Sequence, residues 1–539
     1  MNPKRTISLL AAVLLATIGI MLQAMPQPAK QAQNLDPSRK LLFVKQIIDT
    51  YYVDSVPEGK MVDDAIVAML KTLDPHSSYS DPKETKDLTE PLQGNFSGIG
   101  IQFRMINDTL YVAQTIAGGP SERVGIRAAD RILSANDTTI SGVKMANSDV
   151  MKLLRGPKGT EVNVKVLRKG TPEPIDFRII RDDIPLYSVD ASYMATPKVG
   201  YIRISRFAET TADEVREAMA ALKKQGMEDL IIDLQDNGGG YLGTAVELCE
   251  MLLDKGDLIV YTDGEKVPPA YYRSERQGTF NHGRVALLVN QYSASASEIL
   301  SGAVQDNDRG VIVGRRTFGK GLVQRPFPMP DGSMIRLTVA RYHTPSGRCI
   351  QKPYTMGDGD SYREDLLDRY KAGEFMSADS IHFADSLRYS TLHSGRTVYG
   401  GGGIMPDLFV PVDTSFYSDY YRDLIAKGVL ATYSVNYVDA HRKQILKQYP
   451  TEDSFVSDFR VSDELLDGLV KEGEKEGVPF NEEQFAISRE YISTVLKGLI
   501  GTDLYSRSLY YRVINPLNPI FVEGLRLITS PADYEQLLK

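Results

Sequence analysis

Past residue 182 the chain alternates short apolar runs with helical ones, and the run 285–289, Val-Ala-Leu-Leu-Val, holds no polar residue. The runs 199–204, 230–234, 285–289 and 311–313 read as strands, and 211–224, 243–253 and 298–304 as helices. The first of these helices opens on a Thr211-x-x-Glu214 capping box. Repeated strand–helix units of this kind predict an α/β core over residues 183–413.

The rest of the chain is organised around that core. At about 100–200 residues per domain, 539 residues make roughly three to four folding units. Residues 93–182 change texture to short runs separated by Gly, Pro and Asn. Strands are expected at 98–103, 110–115, 131–135 and 162–167, with a helix near 147–155, which together make a small β-rich module. Residues 35–92 read as helical: Asp36 caps, Pro37 fits the first turn, and Leu41, Val44, Ile48 and Tyr51 recur at helical spacing. A second helix over 61–73 stops at Asp74-Pro75. A polar insertion spans about 354–393, and the extension 414–539 is mainly helical and Tyr-rich. Ordinary helical packing is the plain reading of those tyrosines, with docking on the core or a homodimer contact as the alternatives.

At the start, Lys4 and Arg5 precede an apolar stretch from residue 7 to 22, interrupted only by Ser8, Thr17 and Gly19. A Pro- and Gln-rich linker follows, so residues 1–34 read as an export segment. Leu22 is a poor small-residue match for cleavage after Ala24, so a cleaved signal peptide and a retained membrane anchor both stand. Either way the body is exported, to a periplasm or cell envelope. Composition narrows the chemistry. Sixty-two basic against 70 acidic residues, a net of −8, lack the electrostatic footprint of a nucleic-acid binder. Cys249 and Cys349 leave no room for a disulfide framework or a cysteine zinc cluster, and six scattered His disfavour a metal enzyme. Cys249 reads as a buried structural thiol. Asp358-Gly359-Asp360 lacks the remaining ligands of a calcium loop.

Two turns carry candidate chemistry. Asn290-Gln291-Tyr292-Ser293-Ala294-Ser295-Ala296-Ser297-Glu298 lies between the apolar strand and a helix. A serine there is presented at the carboxyl end of a sheet with helix N–H groups nearby, although the Gly-x-Ser-x-Gly pattern is missing. Taken alone the segment reads first as a Ser-rich helix cap. Leu234-Gln235-Asp236-Asn237-Gly238-Gly239-Gly240 also follows a strand and opens a helix. Its glycines let backbone N–H groups approach a developing negative charge. No Gly-Lys-Ser/Thr follows, which excludes a P-loop. Neither His282 nor His343 is placed to activate a serine. Lys320, flanked by Phe318, Gly319, Gly321, Leu322 and Val323, suits the enclosed setting in which a neutral amine acts as a base.

These segments together resemble the carboxy-terminal processing (tail-specific) serine peptidases, from about residue 49 to 407. Leu73-Asp74-Pro75-His76-Ser77-Ser78-Tyr79 is similar to that family's pre-PDZ motif, and Ser97-Gly98-Ile99-Gly100-Ile101 to the opening of its PDZ module. Gly119-Pro120-Ser121-Glu122, Asp130-Arg131-Ile132-Leu133 and Leu154-Arg155-Gly156-Pro157-Lys158-Gly159 continue the module. Segments 293–298, 317–320, 344–348 and 399–404 match the catalytic half. The resemblance implies a multidomain α/β protein with a ClpP/crotonase-like catalytic core, an inserted PDZ module over 93–182, and helical regions at both ends. It implies Ser295 as nucleophile and Lys320, 25 residues on, as general base, with Gln324 orienting the lysine. Ala296 and Gly239 N–H groups would form the oxyanion hole, although Gly238 and Gln235 stand where a proline and an arginine are common. Gly98, Ile99, Gly100 and Ile101 would bind the apolar C-terminus of an exported or unfolded polypeptide, and Arg155 would couple the module to the active site. No metal or organic cofactor is needed. A non-catalytic PDZ scaffold is the competing reading, and a Ser-His esterase lacks its histidine.

Overall fold

The computed structural model describes residues 36–539, apart from 107, 117 and 128. The expected export segment, residues 1–34, lies outside the described residues. The core is a six-stranded sheet in which Val189–Met194 pairs antiparallel with Val199–Ile204. Asp229–Asp233, Val285–Val289, Val311–Gly314 and Leu408–Phe409 then follow in parallel. Strands without polar residues need cover on both faces, and alternation divides them. Ile202, Ile204, Leu230, Ile232, Val285, Leu287, Val289 and Ile312 face the helices Thr211–Lys224, Leu242–Leu252 and Ala296–Asp306. Tyr201, Ile231, Ala286, Leu288, Val311 and Val313 face the other way.

That second face is covered by the last stretch of the chain. Ile520, Phe521, Leu527 and Ile528 of helix Pro519–Thr529 pack on it, and so does Tyr534. The Tyr534 hydroxyl accepts from Val285 N and donates to Val285 O. Gly524 passes so close that an added Cβ would lie 2.6 Å from Leu288. The remaining C-terminal helices, from Asp419–Ala426 to Arg507–Ile514, build a separate apolar core. Tyr421, Tyr433, Tyr437, Tyr449, Tyr491 and Tyr505 pack against that core, while Tyr511 lies under the Arg203 guanidinium of the α/β sheet at 4.9 Å.

Sequence patterning missed a second, fully antiparallel sheet. Leu258–Gly264, Val267–Arg273, Leu322–Pro328 and Met334–His343 form it, joined by Ser78–Ser80 from the segment expected to be only helical. The helix Pro82–Gln93 leads from there into the β-rich module, opened by a capping box between Asp81 and Glu84. In that module Ile101–Ile106, Thr109–Thr115, Arg131–Ala135, Glu161–Leu167 and Ile175–Ile180 form one sheet in that order. Asn95–Gly98 and Asp182–Pro185 pair antiparallel and bring its two ends together. The Thr211 capping box does not form. Glu214 instead accepts from Ser188 N, Val189 N and Thr210 Oγ1, tying the helix to the preceding strand. Residues up to 66 contain helix Pro37–Tyr51, which buries none of its side chains.

Candidate active site

Ser295 sits where the Val285–Val289 strand turns into helix Ala296–Asp306. Its backbone is held at φ +58°, ψ −113°. Such a conformation costs a non-glycine residue of order 1–3 kcal/mol and is kept only where the surroundings impose it. Here they do. Ser295 N donates to Glu298 Oε2 at 2.8 Å, and Ser295 O accepts from Glu298 N, Ile299 N and the Tyr342 hydroxyl. The facing glycine turn is fastened to the same segment: Ala294 N and Ser297 Oγ donate to Asn237 O, and Ser293 Oγ donates to Leu234 O. Gly239, at φ +102°, approaches so closely that a Cβ would lie 2.7 Å from Ser295 Cβ. Only glycine fits there.

Of the two expected oxyanion donors, Ala296 N–H is the first of its helix and has no partner among the described residues. Gly239 N–H does not share that freedom, because it donates to Asn237 Oδ1 at 2.8 Å. The Asn237 side chain is in turn fixed by donating to Ile204 O. The expectation for Gly239 therefore changes: it supplies close approach rather than an open donor. The N–H groups of Gly238 and Gly240 are unpartnered among the described residues, and both glycines line the same cavity as Ser295.

That cavity, of about 350 Å³, also takes Lys320 and Gln324 into its lining, with Ile299, Leu322, Val323 and Met334 as apolar walls. Burial pushes the Lys320 ammonium down to about 8, helped by the Arg336 charge and opposed by Glu298 and Asp74. Lys320 Nζ donates to Gln324 Oε1 at 3.1 Å, and among the described residues no hydrogen bond joins it to Ser295 Oγ. Gln324 Nε2 donates to the carbonyl of His76. The pre-PDZ motif thereby reaches the lysine. Its own turn is held by Asp74, which accepts from His76 N, Ser77 N, Ser77 Oγ and Thr338 Oγ1. His76 Nε2 and the Tyr362 hydroxyl are 2.9 Å apart. Burial, with the Lys320 charge second, pushes His76 down to about 4 and keeps it neutral.

Two residues whose roles sequence reasoning overlooked join these halves. Glu298, wholly buried, accepts from Ser295 N, Thr317 Oγ1, Gly319 N and Lys320 N, so one carboxylate holds both backbones. Burial raises it to about 7 against those four donors. The Tyr342 hydroxyl bonds both Ser295 O and Lys320 O. The Ser-x-x-Glu spacing was the available signal for Glu298; nothing local marked Tyr342. Both cysteines are free thiols, with Cys249 buried. Asp358 merely caps helix Gly359–Lys371, accepting from Ser361 N.

In the β-rich module, Ile101–Ile106 is an edge strand of its sheet. Gly100, at φ +74°, and Ile99 precede it with N–H groups unpartnered among the described residues. Phe96, Ile99, Ile101, Phe103, Met151 and Leu154 line an apolar groove beside that edge, with Gly100 and Arg155 completing it. Gly98 pairs with Asp182 at the module's neck. Arg155 stacks over Phe96 at 4.3 Å and donates to the buried Glu90 at 3.3 Å. Glu90 belongs to helix Pro82–Gln93, whose Leu88, Thr89 and Leu92 line the Ser295 cavity.

Residues 198–358 match Peptidase family S41, residues 97–179 match the PDZ domain, and residues 420–506 match a family of unknown function, DUF8443. With the cavity above, these define the class: the chain is a serine endopeptidase carrying a PDZ domain. A carboxy-terminal-processing protease of Bartonella bacilliformis is 35% identical over 309 residues, 56% of this chain and 70% of that one. The carboxy-terminal processing protease CtpB of Bacillus subtilis is 35% identical over 336 residues, 61% and 69%. A solved photosystem II D1 C-terminal processing protease is 29% identical with a TM-score of 0.34, over 59% of this chain and 91% of that one. The chain belongs to the carboxy-terminal-processing proteases.

Proposed function

We propose that this is an exported endopeptidase of the Ser/Lys dyad type that selects substrates by their C-terminal tails. The observation that carries the reading is the shared cavity. Ser295, held at a strained helix entry, and Lys320, pushed down to about 8, line it together with the glycine turn. Neutral Lys320 takes the Ser295 Oγ proton as Oγ attacks the peptide carbonyl carbon. The oxyanion is held by Ala296 N–H and by Gly238 or Gly240 N–H. The Lys320 ammonium then gives its proton to the departing amine, and a water, deprotonated by Lys320, releases the acyl group. Gln324 sets the lysine's direction. In the observed arrangement the amine donates to Gln324, and the dyad requires it to turn toward Ser295. We read the core as ClpP/crotonase-like, with the PDZ module over 93–182 inserted before it and the helical extension 414–539 behind it.

Recognition follows from the edge strand. An extended peptide adds to Ile101–Ile106, its terminal carboxylate meets the N–H groups of Ile99 and Gly100, and its apolar last residue enters the groove. Arg155, through Glu90, reaches the helix that walls the catalytic cavity, which gives tail binding a path to the site. The test is cleavage of an unfolded exported protein by wild type, Ser295→Ala and Lys320→Ala, with the substrate's C-terminus free or amidated. The reading expects cleavage by wild type alone, slowed by amidation. Equal cleavage by all three would remove the dyad, and indifference to amidation would remove carboxylate capture.

A further inference from the structure

The cavity contains a second cation, whose only part in the hydrolytic chemistry described above is its charge beside Lys320. Arg336 stands on strand Met334–His343 and lines the cavity with Ser295, Lys320 and Gln324. Its position is firm, because the strand is paired on both sides at this residue, with Ser78 and with Pro326. Its guanidinium is poorly satisfied. NH2 reaches Ser78 Oγ at 3.5 Å, Nε is buried without a partner, and among the described residues no carboxylate lies within ion-pair distance.

Several buried arginines elsewhere in the molecule are provided for, although the Nε atoms of Arg203 and Arg206 are likewise without a partner among the described residues. Arg348 pairs with Asp306, Arg396 with Asp308 and Asp407, and Arg309 donates to the carbonyls of Leu252, Phe280 and Gly283. Leaving a half-buried charge without a counter-group is costly, and such groups persist where something else supplies the counter-charge. The cavity lining contains no Asp or Glu. Once Lys320 is neutral, Arg336 carries the formal charge of that lining.

We infer that Arg336 binds a carboxylate of the polypeptide within the catalytic cavity, and so sets cleavage-site specificity. The inference rests on the reading of this cavity as the catalytic one. A guanidinium takes a carboxylate through two parallel N–H···O bonds, a geometry that its two terminal nitrogens can offer. Two sources present that chemistry: an Asp or Glu side chain flanking the scissile bond, and the new α-carboxylate of the product.

The test compares peptide pairs that differ only by Glu or Gln beside the scissile bond, and product peptides with a free or amidated C-terminus as inhibitors. The enzymes are wild type, Arg336→Gln and Arg336→Lys in the full chain. Ratios within each enzyme are read, so a general loss of rate cancels. A side-chain source gives wild type about a 10-fold preference for Glu in kcat/KM, carried by KM, erased by Arg336→Gln and partly kept by Arg336→Lys. A product source gives about 10-fold tighter inhibition by the free acid than by the amide, erased in the same way. Neither preference in wild type, or preferences that survive Arg336→Gln, would overturn the inference. So would a variant that only moves the acid limb of the pH profile, since Arg336 would then act on Lys320 alone. If Arg336→Gln fails to fold, wild type and Arg336→Lys decide. Cleavage of the Gln peptide by wild type and not by Ser295→Ala reports separately on the peptidase reading.

Discussion

Ser295 is held by its own helix and the facing glycine turn, whereas Lys320 sits at the end of a relay crossing distant parts of the chain. Around Ser295 the fixing bonds run to Glu298, Tyr342 and the Asn237 turn, all inside the α/β core and its partner sheet. The Lys320 side chain depends on Gln324, which depends on the carbonyl of His76, whose ring meets Tyr362 in the polar insertion. The nucleophile is thus built into the sheet, while the base answers to the segment leading into the PDZ module. That difference places control of the proposed chemistry on the base side, where a shift of residues 74–79 would turn Gln324 and carry the lysine with it.

Substitutions can break this asymmetry, and the largest effects belong to the dyad itself. Ser295→Ala is expected to lower kcat by about 10⁴-fold or more without altering far-ultraviolet circular dichroism. Lys320→Met should cost about 10² to 10⁴-fold, the range for removing a general base. A Ser295→Ala enzyme with more than a few per cent of wild-type activity would mean that another group attacks. Gln324→Ala keeps both reacting groups but frees the amine, and should lower kcat about 10-fold with KM little changed. It should also move the acid limb of the rate profile upward, because a lysine no longer held in the apolar wall is more easily protonated. Tyr362→Phe, at the far end of the relay, should lower kcat by roughly 3-fold in the same sense. If Tyr362→Phe matched Gln324→Ala, the insertion would do more than steady His76. If it changed only KM, the relay from His76 would not reach the lysine.

How much of this was legible in the sequence depended on how local the signal was. The apolar run 285–289 announced a sheet needing cover, and the serine-rich turn after it announced a helix entry. The Leu-Asp-Pro-His motif was recognisable as a segment before its purpose was, since its tie to Gln324 spans 248 residues. Two strands of the antiparallel sheet do not look like strands, which helped it escape. Val267–Arg273 holds two prolines, and Leu322–Pro328 is exposed over its outer half. The cover on the second sheet face came from residues 519–537, too far along the chain for periodicity to connect. Glu298 was visible only as a capping spacing, and its grip on Lys320 N needed the fold. Gly239 was matched by motif, yet its N–H is occupied by a side chain two residues away. Arg336 looked like an ordinary polar strand residue until the cavity showed that, among the described residues, no carboxylate pairs with it.

The central claim is that a neutral Lys320, held down by burial, removes the Ser295 proton. The pH dependence of kcat/KM on a neutral peptide tests it most directly. A lysine with a lowered value is protonated, and inactive as a base, below that value and neutral above it. The rate should therefore rise tenfold per pH unit at low pH and level off near pH 8, the value to which burial brings Lys320. Gln324→Ala should carry the bend upward. A wild-type bend near 6.5, the ordinary range of a histidine, or a profile that keeps its bend in Lys320→Met, would contradict the account.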